Sequence, residues 1–262
     1  DRSSAAADVY KETGKRSTAN SLPCGCGRRP TPPFESVPLE GVQMEEATTL
    51  AHTVFFNRDG QFEPTPLPVA AQLAPGFHVG IADFDGDGHE DVFLCQNLFA
   101  LRSEAMRSDS GRGLWLRGDG MGNLTALSSV VSGVAVYGEQ RGAALADYYH
   151  DGRIGLVVTQ NGAETKLFKN VSGQPGLRVR LEGNTDNPHA IGAAIRLRFS
   201  SGLGPVREVR AGSGYWSQDG AVQVMGMTSE PAAVWGRWPG GEETETALAP
   251  ASRNVTIRWD EK

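Results

Sequence analysis

Hydrophobic residues along this chain fall in short runs rather than at helical intervals. From about residue 51, FFNRDGQF (55–62), VGIA (79–82), VFLC (92–95), WLRGDGMGNL (115–124), LVVT (156–159) and LFKN (167–170) each carry apolar residues beside Gly, Asn or Asp turn chemistry. Short β-branched and aromatic runs bounded by such residues read as β-strands. After Gly176 the pattern becomes alternation, in GLRVRLEG, AIRLRFSSG, REVRAGSG, AVQVMGM, AAVWGRW and NVTIRW. Alternation is the mark of half-buried antiparallel strands. The first 50 residues lack such periodicity and read as a loop-rich or disordered arm, with a short helix over the first dozen. The pattern predicts an all-β protein: an arm over 1–50, repeats over 51–175 and a small antiparallel β domain over 176–262.

The middle segment repeats itself. GIADFDGDGHEDVFLCQN, from Gly80 to Asn97, is echoed by ALADYYHDGRIGLVVTQN, from Ala144 to Asn161, with the leading aspartates Asp83 and Asp147 holding the same place. The runs beginning at Phe55, Trp115 and Leu167, each an apolar pair followed by turn chemistry, keep a similar step. A unit of roughly 60 residues with several short strands suits a propeller blade, and about two such units are present. Because propellers usually close with about 4 to 8 blades, apolar faces such as VFLC and LVVT are expected to need a cover. Self-association or blades outside this sequence are favoured over coverage by the chain itself.

Composition narrows the function. Glycine is 33 and proline 15 of 262 residues, and charged residues are 21%, which disfavours long helices. The net charge of -6 argues against nucleic acid as a generic partner. No run reaches the length of a membrane span. The chain opens without a charged stretch leading into an apolar one, so any secretion signal is expected to be removed or to lie outside this sequence. Of three cysteines, Cys95 sits in a strand-like run and is expected to be a buried free thiol, while Cys24 and Cys26 lie in the arm without a second pair to complete a zinc site.

The strongest chemical signal is Asp83-Phe84-Asp85-Gly86-Asp87-Gly88-His89-Glu90-Asp91. Carboxylates at positions 1, 3, 5 and 9, with glycine at position 6 of the count from Ca²⁺-loop precedent supplied here at Gly88, are what a hard cation needs from a tight turn. Asp83, Asp85, Asp87 and Asp91 are the expected side-chain ligands of Ca²⁺, with His89 giving a backbone carbonyl. Position 12 is Leu94 rather than Glu, and the flanks read as strands, so an EF-hand is excluded. The competing reading is an Asp-Gly turn whose carboxylates face water. In the echo, Tyr149 and Gly155 replace two carboxylates, leaving Asp147 and Asp151; that loop is expected to keep its turn without an ion.

Other features read less sharply. Arg117-Gly118-Asp119 spells an adhesive tripeptide but is also good hairpin-turn sequence. Asn123, Asn170 and Asn254 head glycosylation sequons, which act only in a eukaryotic secretory route. Gly212–Asp219, GSGYWSQD, reads as a buried Tyr–Trp corner in preference to a sugar-binding platform. No zinc-spaced histidines, nucleophile elbow or phosphate loop is present.

With these residues in view, the chain resembles secreted proteins that combine FG-GAP (VCBS) propeller repeats, as in integrin α-subunit heads, with a carboxy-terminal ASPIC/UnbV domain, the cartilage acidic protein-like family. DFDGDGHED carries the first resemblance; NPHAIGAAIRLRF, REVRAGSGYWSQD and WGRWPGG carry the second. The resemblance implies a calcium-binding extracellular or secreted protein, periplasmic or at the cell surface in a bacterium. Adhesion, matrix or surface interaction with a protein or glycan partner is the expected function, without catalysis. The alternatives are a polysaccharide-acting enzyme using Tyr148, Tyr149 and His150, or a self-assembling structural subunit.

Overall fold

The Asp59-Gly60 pair turns the first hairpin with both residues at positive φ, 53° and 83°. That is the type I′ geometry whose twist suits two paired strands. In the computed structural model, which describes residues 8–10, 49–99 and 107–259, this turn joins β2 (Thr53–Arg58) to β3 (Gln61–Pro66), and β1 (Asp8–Tyr10) pairs with the other edge of β2. Residues 8–10 are thus extended where a short helix was expected. The remainder of that helix, Cys24, Cys26 and most of the arm lie outside the described residues.

Two further antiparallel sheets follow in chain order. The helix turn α1 (Val69–Gln72) leads into β4 (Gly76–Ala82), β5 (Asp91–Gln96), β6 (Leu114–Gly118) and β7 (Leu124–Ala126), paired as neighbours. A second turn, α2 (Ser129–Ser132), is capped by the Ser128 hydroxyl and leads to β8 (Glu139–Ala146), β9 (Gly155–Asn161) and β10 (Ala163–Phe168). Among the described residues these two helices are far too short to cross a membrane.

Every residue of β5 is buried, because its alternating side chains serve two cores. Val92 and Leu94 pack with Val54, Leu67, Ala71 and Leu116; Phe93 and Cys95 pack with Ala143, Leu145, Leu156 and Val158. The VFLC run is therefore covered on both faces by this chain's own sheets, contrary to the expectation that a neighbour must cover it. The Cys95 thiol is free and buried, and burial pushes its pKa up to about 12.

The carboxy-terminal strands form two sheets around one core. The first orders β15 (Val222–Met225), β11 (Leu177–Glu182) and β18 (Asn254–Arg258). The second contains β12 (Ala194–Phe199), β13 (Gly202–Leu203), β14 (Arg207–Glu208), β16 (Ala233–Arg237) and β17 (Glu243–Ala247). Leu177 and Val179 from one sheet meet Ile195, Leu197 and Val234 from the other, with Trp238 and Ile257 closing the core. Two expectations fail here. β18 runs parallel to β11, not antiparallel, and REVRAGSG contributes only the two-residue β14 before becoming loop.

Candidate metal centre

The acidic loop joins β4 to β5, and its backbone is wound around Asp83. Asp83 Oδ1 accepts from the Gly86 and Asp87 amides at 2.7 and 3.1 Å, and Oδ2 accepts from Gly88 at 2.7 Å. Gly86 and Gly88 take φ of 77° and 89°, the left-handed region that lets the chain curl this tightly. Asp91, at the start of β5, turns back to accept from the Phe84 amide at 3.0 Å and from the Gly118 amide of β6 at 2.9 Å.

This winding brings Asp83, Asp85 and Asp91 together: one carboxylate oxygen from each lies within 4.8 Å of the others. Oxygens that share a Ca²⁺ at roughly 2.4 Å can be no more than about 5 Å apart, so the three fit one hard cation. Asp87 falls outside that trio. Its Oδ1 accepts from the His89 amide at 2.9 Å, and its Oδ2 meets the Arg117 guanidinium at 3.1 Å. The His89 ring rests against Gly120.

Charge in the loop is only partly balanced. Arg117 also binds Asp85, Nε to Oδ2 at 2.6 Å, while no guanidinium or ammonium within salt-bridge reach touches Asp83 or Asp91 among the described residues. Asp83 is 6% exposed and Asp91 fully buried. Burial pushes their carboxyls up to about 6 and about 7, against the backbone amides that favour the charged forms. Two buried carboxylates without a cation beside them are a site that a divalent ion would relieve.

The loop is also held from a distance. Gln174 donates its amide to the Asp85 carbonyl at 2.8 Å, and the Asn170 side chain donates to the Phe84 carbonyl at 2.6 Å. Arg207 of β14 grips both oxygens of Glu90 at 2.6 Å. Gly226 lies so close to the Asp83 carboxylate that any Cβ there would collide with it. A hollow of about 370 Å³ opens beside the loop, lined by residues that include Gly86, Gln174, Met227 and Arg253.

The echo loop, between β8 and β9, repeats the backbone and changes the charge. Asp147 accepts from the Asp151 and Gly152 amides at 3.0 and 2.9 Å, and His150 at φ 57° takes the place of Gly86. Arg178 of β11 then puts Nε on Asp147 Oδ2 at 2.6 Å and a second nitrogen 2.7 Å from His150 Nδ1. Asp151 pairs with Arg153 at 3.5 Å.

Sequence reasoning located the loop but missed Arg117, Arg178 and the Arg207–Glu90 pair, which no local motif announces. The RGD tripeptide is tied into the structure: Arg117 binds the loop, the Gly118 amide serves Asp91, and Asp119 accepts from Met121 and Asn123 across the turn. Tyr148 and Tyr149 are exposed and meet edge to face, with Lys169 over Tyr149, while His150 turns to Arg178. The expected buried Tyr–Trp corner is overturned, since Trp216 is 95% exposed.

A family model described as ASPIC and UnbV matches residues 183–262. It supports the carboxy-terminal part of the resemblance. No curated protein matches the chain.

Proposed function

We propose that residues 83–91 bind one Ca²⁺, and that the protein is a non-catalytic extracellular module for adhesion, matrix or surface interaction, built from FG-GAP-type repeats followed by the ASPIC/UnbV segment. The convergence of Asp83, Asp85 and Asp91 on one point carries the reading. Hard carboxylate oxygens in a loop of this size favour Ca²⁺ over Mg²⁺, which keeps more of its waters. Asp87 and the His89 carbonyl complete the proposed ligand set. For Asp87 that means leaving Arg117, an exposed ion pair of small worth. In the echo loop, Arg178 already supplies the positive charge that Asp147 requires, so that loop is proposed to hold no ion.

The ion's role in this reading is structural: it neutralises the carboxylates of a loop whose backbone carbonyls bind Asn170 and Gln174, whose Glu90 binds Arg207 and whose Asp83 packs against Gly226. A ligand bound only by the native state at 100 times its Kd adds about 2.7 kcal/mol of stability. Thermal melts in excess EDTA and in millimolar CaCl₂ test this. A clear upward shift in calcium, lost in Asp85→Ala, is expected; superimposable melts of the wild-type protein would reject it.

A further inference from the structure

The loop between β14 and β15 holds an aromatic pair in an unusual setting. Trp216 has a φ of 45°, a backbone conformation that bulky side chains rarely adopt, and yet it stands 95% exposed. Apolar burial does not explain why the chain accepts that conformation. The Tyr215 and Trp216 rings lie 17° from parallel with centroids 5.7 Å apart. At that separation the near-parallel rings are stacked with a lateral offset, Tyr215 backing one part of the indole while the outer indole face stays open.

That surface is braced from below. Tyr215 meets Phe77 of β4 edge to face at 5.8 Å, and the Arg141 guanidinium of β8 covers Phe77 at 3.9 Å. The Ser213 amide donates to the Ser217 carbonyl at 2.9 Å, closing the loop under the rings, and the Ser217 hydroxyl donates to the Tyr215 carbonyl at 2.7 Å. Asp219 anchors the far end by accepting from the Leu145 amide at 2.8 Å. Side chains held this way lose little freedom when a ligand arrives.

We propose that Tyr215 and Trp216 form a stacking platform for the apolar face of a neutral, β-linked pyranose chain. Two rings of about 150–250 Å² each are far below the ~800 Å² per partner of a stable protein interface. They are enough for sugar rings, whose C–H faces stack on aromatic faces and whose hydroxyls need only water or a few polar neighbours. An anionic membrane would be repelled by the net charge of -6. The platform owes nothing to the carboxylates of the metal loop, so this inference goes beyond the calcium reading and is tested separately from it.

The test is titration of the full chain in calcium with cellohexaose and chitohexaose, followed by tryptophan fluorescence and calorimetry. Saturable binding is expected for at least one, with a change in tryptophan emission. Trp216→Ala should weaken it at least tenfold, Tyr215→Ala less, and Trp216→Phe least; Trp235→Phe, away from this loop, should leave it unchanged. Circular dichroism and melts of each variant establish that the fold is intact. Absence of binding by the folded wild-type protein to both sugars overturns the proposal, as does affinity unaltered in Trp216→Ala. Concentration-dependent self-association in sugar-free buffer that Trp216→Ala abolishes would assign the rings to a second copy and overturn it too.

Discussion

The two repeat loops share a backbone and differ in how they meet the same electrostatic problem. In each, a leading aspartate accepts backbone amides from residues four and five positions on, and a left-handed residue stands at the fourth place. The first loop gathers three carboxylates and, among the described residues, leaves Asp83 and Asp91 without an ion-pair partner. The second keeps one deeply buried carboxylate and brings Arg178 to it at 2.6 Å. A β-turn that winds around a carboxylate buries charge, and either a bound cation or a covalently attached one can answer it. The attached cation is always present; the bound one makes stability depend on its concentration.

The largest expected effect breaks the second loop. Arg178→Ala leaves Asp147, whose side chain is fully buried, without its partner. Removing one member of a buried pair costs about 3 kcal/mol or more. Calcium should not rescue this variant, because Asp147 and Asp151 alone are too few ligands. Chemical denaturation with and without calcium measures both points; full rescue by calcium would erase the proposed distinction between the loops.

Next comes the first loop. Saturating calcium should raise the wild-type melting temperature by roughly 5–10 °C, taking about 2.7 kcal/mol and 2–4 °C per kcal/mol for a chain of this size. Asp91→Asn should lose that gain, while Asp151→Ala keeps most of it. In EDTA the order changes, since Asp91→Asn removes a buried charge and should melt no lower than wild type by much more than its lost hydrogen-bond strength.

The pH dependence is smaller and its sign is opposite to that of most carboxylates. Asp83 and Asp91 sit at about 6 and about 7 in the folded protein, above the unfolded value near 3.9. Between those limits the folded state holds more protons, so these groups make metal-free stability fall as pH rises through 6 to 7. His78 opposes this at lower pH: burial takes it down to about 4, so below about 6.5 the unfolded state gains the extra proton. Protons also compete with the ion, and calcium affinity should weaken by about tenfold or more from pH 8 to pH 6. Calorimetric titrations at the two pH values read this directly; equal affinities would remove the buried carboxylates from the site.

The smallest effect sharpens the comparison. Arg117→Ala removes the guanidinium whose half-exposed pairs hold Asp85 and Asp87 of the first loop. Exposed pairs are worth at most about 1 kcal/mol, so stability in EDTA should change little while calcium binds a few-fold tighter. Weaker calcium binding would instead make Arg117 a necessary support for the ligands.

What could be read from the sequence follows from how local each determinant is. The acidic loop was legible because its carboxylates lie within nine residues, and the first turn because Asp59-Gly60 carries the left-handed conformations it requires. Arg178 reaches Asp147 from 31 residues away and Arg207 reaches Glu90 from 117. No spacing rule links such pairs; they exist only once the sheets have packed. Alternation marks a strand without giving its direction, which is why the parallel β11–β18 pair was not foreseen. Trp216 was misread for a similar reason. A tryptophan in a Gly- and Ser-rich loop has no periodicity to say whether it faces inward, and burial is the more common fate of a large ring.

The central claim is that one loop binds an ion and its echo carries its own cation. Calcium titration by isothermal calorimetry, on the metal-stripped wild-type chain and on Asp85→Ala, tests it most directly. The account predicts one site per chain in the wild type and none in the variant; two sites, no binding by folded wild-type protein, or an unchanged isotherm in Asp85→Ala would contradict it.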